Sequence, residues 1–205
     1  MGEALKVALI GGTSHVGKST TAAAVAARLG WEVRSTDHLA RHPGRPWPVG
    51  ERPVPPHVIE HYATLGQDAL IASVTAHYRA NVWPLVRALV AERVAKGAAP
   101  IVLEGSALLP DLVASLREPS ARVVWMTADD ALVDARIRRE SRFEAADPEA
   151  RQLIGAFIAR SQRYNAEMTA QARRLALPLV EVTAQTTPED AAERVAAALA
   201  AAGGP

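Results

Sequence analysis

Eight consecutive residues, Gly12-Thr13-Ser14-His15-Val16-Gly17-Lys18-Ser19, carry the densest chemistry in the chain. They match G-x-x-x-x-G-K-[ST] at every position, the pattern of a loop that cradles phosphates. Glycines let backbone N–H groups converge on phosphate oxygens, and a following helix adds the partial positive charge of its N-terminus. In that setting Lys18 reaches the β- and γ-phosphates of ATP, and the Ser19 hydroxyl joins the shell of Mg²⁺. The expected contacts run from Gly12 through Thr13, Ser14, His15, Val16, Gly17, Lys18 and Ser19 to Thr20. His15 keeps two readings, a phosphate contact or a packing side chain.

Two carboxylates stand where predicted strands end. Asp37 follows the stretch 32–35, and Glu104 closes 101–103. In parallel α/β sheets ligands bind outside the carboxyl ends of the strands. Three strand ends, at Ile10, near Asp37 and at Glu104, could therefore meet at one crevice. A carboxylate there orients and deprotonates an alcohol, or holds Mg²⁺ directly or through water. Asp37 is assigned the alcohol and the general-base role; its alternative is a cap for a helix starting at His38. Glu104 divides between Mg²⁺, a substrate hydrogen bond and a turn without a ligand.

The arginines supply the opposite charge. Arg136, Arg139 and Arg142 lie at three-residue steps and share a helix face. Cations that close over a moving phosphoryl group stabilise its charge and exclude water. Arg139 and Arg142 are the expected ATP contacts, against the alternative of a solvated face. Arg160 and Arg163 could face the crevice from a later helix, and Arg41 and Arg45 could hold a substrate anion. His57 and His61 share a helix face but lack a carboxylate in register, so no zinc site is expected.

These side chains need elements to position them. The apolar runs 5–10, 101–103, 122–126 and 178–182 and the stretch 32–35 read as strands, the last three runs each followed by a helical pattern. The first helix, 20–29, closes at Gly30. Strands alternating with helices predict a three-layer α/β domain, a parallel sheet of about five strands covered on both faces. Residues 38–57 are proline-rich and read as a loop. Residues 57–96 follow with apolar side chains at helical spacing, kinked or restarted at Pro84. Tyr62, Tyr78 and Trp83 on them are candidate pocket lining, although core packing is the commoner role for such a stripe. The charged stretch 136–151 reads as a lid between two helices, and the alanine-rich end from Ala196 as a fraying helix.

At 205 residues the chain suits a single domain, and 49% hydrophobic with 22% charged residues marks it as globular. A formal charge of +1 and nine aromatic residues (four Trp, three Tyr, two Phe) disfavour nucleic acid as a partner. Without cysteine there is no disulfide, thiol nucleophile or thiolate metal site, which fits the cytoplasm as the expected location. No stretch has the length and apolarity to span a membrane.

Taken together, the loop 12–19, Ser35-Thr36-Asp37-His38-Leu39-Ala40-Arg41, Pro100-Ile101-Val102-Leu103-Glu104-Gly105-Ser106, the arginines at 136, 139 and 142, and Arg160-Ser161-Gln162-Arg163-Tyr164-Asn165 resemble the small P-loop kinases of the shikimate, gluconate and nucleoside-monophosphate type. The strand ending in Glu104-Gly105 looks most like 2-phosphoglycerate kinase-related proteins. The resemblance implies the P-loop NTPase fold as a single domain, with 38–97 as substrate-binding loop and helices and 136–151 as lid. It also implies ATP and Mg²⁺ as cofactors. Asp37 would meet the acceptor hydroxyl, Arg41 and Arg160 its anion, Glu104 the substrate or the metal, and Ser19 the metal. Lys18, Asp37 and Arg139 would carry catalysis. The expectation is an ATP-dependent kinase acting on a hydroxyl of a small molecule, as monomer or homodimer. An NTP-hydrolysing switch acting on a partner protein is the alternative, and a nucleoside or nucleotide acceptor is a variant within the first class.

Overall fold

A computed structural model describes residues 4–40 and 44–201. Five strands form one parallel sheet: β1 (Val7–Gly12), β2 (Glu32–Ser35), β3 (Ile101–Gly105), β4 (Ala121–Ala128) and β5 (Leu179–Val182), in the order β2-β3-β1-β4-β5. Both β1 and β3 are buried along their whole length, as their unbroken apolar runs require of strands covered on two faces. Side chains alternate across the sheet. Ala8 and Ile10 of β1 enter one core, while Val7 and Leu9 enter the other.

On the first face lie α1 (Lys18–Leu29), α6 (Asp130–Ser141) and α8 (Pro188–Ala201), packed through Val25, Val133, Ile137 and Val195. On the second lie α3 (Gln67–His77), α4 (Trp83–Val94) and α5 (Pro110–Ala114), packed through Val74, Val86 and Val113. A long helix, α7 (Pro148–Arg174), contributes to both cores, through Phe157 to one and Tyr164 to the other. Asp147 caps it by accepting from the Ala150 N–H at 2.8 Å, and Pro148 opens its first turn. None of the helices among the described residues is long and apolar enough to cross a membrane.

One expectation about the connections needs correction. The helical stretch 57–96 is three helices. The first, α2 (Pro56–Thr64), ends where Leu65 turns extended, and α3 then runs through a π-helical turn (Tyr78–Val82) into α4. Pro84 cannot donate to the preceding turn and would clash with its carbonyl, so it sits in the first turn of α4 behind the wider π turn. The stretch 136–151, read from the sequence as a lid, joins two helices. It comprises the end of α6, Arg142 with φ 53°, a 3₁₀ turn (Phe143–Ala145) and the start of α7. The alanine-rich end, expected to fray from Ala196, is helical through Ala201, the last described residue. In α8, which reaches Ala201, Leu199 is buried and its carbonyl accepts from the Arg122 guanidinium at 3.0 Å.

The described part of the proline-rich segment, 44–56, has no helix before α2, as expected, but it is packed down. Trp47 is only 4% exposed and meets the Phe157 ring edge-on at 4.8 Å. Gly105, at the end of β3, has φ 153°, and a Cβ there would lie 1.7 Å from Thr36 Oγ1. That close approach lets the 3₁₀ turn after β2 (Thr36–His38) settle against β3 and brings Asp37 to the strand ends. Gly105→Ala should therefore destabilise the domain by roughly 2 kcal/mol or more. An unchanged urea midpoint would contradict this packing.

Candidate functional site

The chain from Gly12 to Gly17 leaves β1 and wraps the N-terminus of α1. Gly12 takes φ 149°, and a side chain on it would meet the Met126 carbonyl at 2.6 Å. His15 takes φ 66°, a left-handed value uncommon outside glycine. The Thr13 hydroxyl donates to the Ser161 carbonyl of α7 at 3.2 Å, which ties the loop to that helix. Lys18 is 7% exposed, and its ammonium donates to the Thr13 carbonyl at 2.6 Å. Burial lowers its pKa, while the Glu104 and Asp37 carboxylates pull it back up.

These residues open onto a cavity of about 560 Å³. Ser14 to Thr21 form its floor, with Asp37 on the β2 side and Glu104 at the end of β3. In the sheet register Glu104 stands beside both Ile10 and Ser35, so the three strand ends do converge. Glu104 is 4% exposed and accepts from the Ser19 hydroxyl at 3.1 Å. A buried carboxylate and a hydroxyl in contact, beside a lysine and across from Asp37, form an oxygen set suited to a hard divalent cation. Asp37 itself is exposed into the cavity. It does not cap the turn, because Ser35 Oγ fills that role by accepting from the Asp37 N–H at 3.3 Å.

The far wall is cationic. Arg136 and Arg139 of α6 line the cavity, and Arg136 donates to the His15 carbonyl at 2.9 Å. Partial burial, and then the neighbouring Arg139, lower the Arg136 pKa. Arg142 goes elsewhere. Its left-handed backbone ends α6 and turns it to a groove with Trp47 and Pro48, away from Lys18. Arg163, on the outer side of α7, pairs with Glu167 at 2.8 Å and with Asp68. Arg41 lies outside the described residues.

Arg160 faces inward. It is 6% exposed and lines a narrow cleft behind the loop with Thr13, Ser14, Tyr78, Ser106 and Tyr164. Its guanidinium donates to Tyr62 Oη at 2.7 Å and sits 4.5 Å from the centre of the Phe157 ring. Among the described residues no carboxylate pairs with it. Burial raises the Tyr62, Tyr78 and Tyr164 hydroxyl pKa values, and burial together with Arg160 lowers that of His61. Trp83 belongs to the core instead.

Several cavity residues escaped the sequence reasoning. Glu140 lies between Arg139 and Ser141 in a charged run that gives no sign of its partners. It sits 3.0 Å from His15 Nε2 and also pairs with Arg45. Val182, Thr186, Thr187 and Ala191 close the end of the cavity beyond Thr20 and Thr21. Trp47 could have been suspected, since a tryptophan flanked by two prolines suits a fixed segment better than a free one. No group of three or more His, Cys, Asp or Glu side chains able to hold a metal occurs among the described residues.

No protein-family model and no curated protein sequence matches the chain. Solved structures do. A gluconokinase from Sinorhizobium meliloti 1021 superposes with a TM-score of 0.53 at 18% identity, over 97% of this chain and 93% of that one. A shikimate kinase from Aquifex aeolicus gives 0.54 at 14% identity, over 97% and 99%. The fold is that of the small P-loop kinases. A deoxyadenosine kinase from M. mycoides with bound dATP shares it, at 0.52 and 17% identity over 95% and 99%.

His15 provides a test of the loop in isolation. Burial, reinforced by Arg45 and Lys18 and opposed by Glu140, lowers its pKa from 6.5 to about 4. A histidine held neutral binds fewer protons folded than unfolded across that window, so stability should fall as pH drops from about 6.5 towards 4. His15→Asn, which tolerates the left-handed backbone, should flatten that slope in urea titrations. A slope unchanged by the substitution would show that His15 is not the group responsible.

Proposed function

We propose that the protein is an ATP-dependent kinase that transfers the γ-phosphoryl group of Mg-ATP to a hydroxyl of a small molecule bearing an anionic group. The observation that carries this reading is the convergence of Lys18, the Ser19–Glu104 contact and the exposed Asp37 on one cavity. The small-molecule kinases that share the fold support it. ATP would lie along the loop from Gly12 to Thr20, its base towards Thr186 and Thr187, its phosphates at Lys18, Arg136 and Arg139. Ser19 and Glu104 would hold Mg²⁺, which when bound neutralises charge across the β- and γ-oxygens.

In the transfer the acceptor oxygen bonds to the γ-phosphorus as the bond to the bridging β–γ oxygen breaks, and ADP leaves. Asp37 orients the attacking hydroxyl and takes its proton. Lys18 and Arg139 meet the negative charge that spreads over the moving group. No covalent enzyme intermediate is needed, because positioning and charge carry the reaction. The acceptor's anion is assigned to Arg160, a buried guanidinium whose side-chain partner is the neutral Tyr62 hydroxyl. A carboxylate or phosphate there would supply the charge-assisted bonds that a buried arginine calls for.

Coupled ADP release, measured with Mg-ATP over a panel of small hydroxylated acids, sugar acids and nucleosides, tests this. Release should depend on one acceptor, vanish in Lys18→Ala and fall roughly 10²- to 10⁴-fold in Asp37→Asn, the scale of general acid–base help. Acceptor-independent release that Lys18→Ala abolishes would point instead to an NTPase acting on a partner. In Arg160→Met, kcat/KM for the acceptor should drop roughly 10-fold or more, with KM for ATP little changed. A preference for uncharged acceptors would remove the anion from the reading.

A further inference from the structure

The segment 44–56 crosses the molecule between the two binding regions, and three consecutive fixings define its course at Arg45. The Gly44 carbonyl accepts from Tyr62 Oη at 3.4 Å, the same hydroxyl that accepts from Arg160. Arg45 pairs with Glu140 of α6. Trp47 is buried against Phe157 and lies 6.1 Å from the His15 ring, centre to centre. Pro46, with its fixed φ, joins the last two. Arg45 thus stands where the acceptor cleft and the nucleotide cavity meet.

Its side chain is not used up in packing. It is 43% exposed and lines the cavity with Lys18, Ser19 and Asp37. Its charge reaches both Lys18 and His15, adding to the burial that depresses each. Holding the segment does not need this ion pair. Trp47 already anchors it, and a pair this open to solvent contributes little. A third arginine placed near Lys18, Arg136 and Arg139 is electrostatically unfavourable unless an anion belongs among them, and Glu140 offsets Arg45 alone, since the His15 beside it is held neutral.

We propose that Arg45 is a catalytic residue, exchanging Glu140 for the oxygens of the phosphoryl group in transfer. The inference rests on the kinase reading above. Arg45 donates its planar pair of N–H groups to oxygens that gain charge as the bond to ADP breaks, and no proton or electron changes hands at the guanidinium. Glu140 holds the cation in place beforehand.

The test is calorimetry of Mg-ADP, with and without aluminium fluoride as a planar phosphoryl mimic, on wild type, Arg45→Ala, Arg45→Lys and Glu140→Gln. Mg-ADP should bind within about threefold alike to wild type and the Arg45 variants. Aluminium fluoride should tighten the wild-type complex, with at least tenfold of that gain lost in Arg45→Ala, only part restored by Arg45→Lys and the gain kept by Glu140→Gln. Such a loss is the scale of one charge-assisted contact. Arg45→Ala tightening as wild type does, or Arg45→Lys matching wild type, would overturn the proposal. Wild type that binds Mg-ADP but gains nothing from aluminium fluoride would overturn it too, leaving nucleotide binding intact. Failure of wild type to bind Mg-ADP would sink the kinase reading, and this inference with it.

Discussion

A lysine ammonium held inside a protein needs its surroundings arranged for it, and much of this fold can be understood as that arrangement. Lys18 is buried, hydrogen-bonded to the Thr13 carbonyl, with two carboxylates near enough to favour its charge and neither in an ion pair with it. Glu104 and Asp37 come from the ends of two further strands, so parallel pairing must bring those ends level with the loop after β1. The glycines at 12 and 105 permit the close approaches that make this possible. A side chain at either would push apart the backbone that places the charges.

The long helix α7 performs the second positioning task. One segment of it carries Phe157, Arg160, Ser161 and Tyr164, which meet the strap residue Trp47, the Tyr62 hydroxyl, the Thr13 hydroxyl of the loop after β1 and the Ser106 carbonyl respectively. A single helix spanning both cores ties the loop after β1 to the cleft around Arg160. Buried hydrogen bonds fix its height against the sheet. Asn165 donates to the Ala128 carbonyl at 2.8 Å, and the Thr169 hydroxyl lies 2.9 Å from that of Thr127. Leaving such buried groups unpaired would be costly, so the helix register and the site geometry are set together.

The charges around the cavity are disposed in a similar division. Carboxylates come from the sheet side, at Asp37 and Glu104, while arginines come from α6 and the proline-rich strap. Glu140 stands on the cationic side, pairing with Arg45 and lying beside the neutral His15 ring.

What the chain determined locally is readable without a fold. The loop pattern, the strand stretches and the carboxylates at strand ends all concern neighbours within a few residues, where backbone geometry and side-chain type act directly. Residues 20–29 and their closing glycine belong to the same class. Only the tertiary structure decided the rest, because it depends on partners far apart in sequence. Arg160 and Tyr62 are 98 residues apart, and Thr13 and Ser161 148. Equal spacing promised that Arg136, Arg139 and Arg142 would act together, yet Arg142, left-handed at the end of α6, lines a groove with Trp47 and Pro48 rather than the cavity of the other two. Trp47 became an anchor only when α7 offered Phe157 as its counterpart. Periodicity reports which residues share a face; burial, and the charges it forces into company, decide what that face meets.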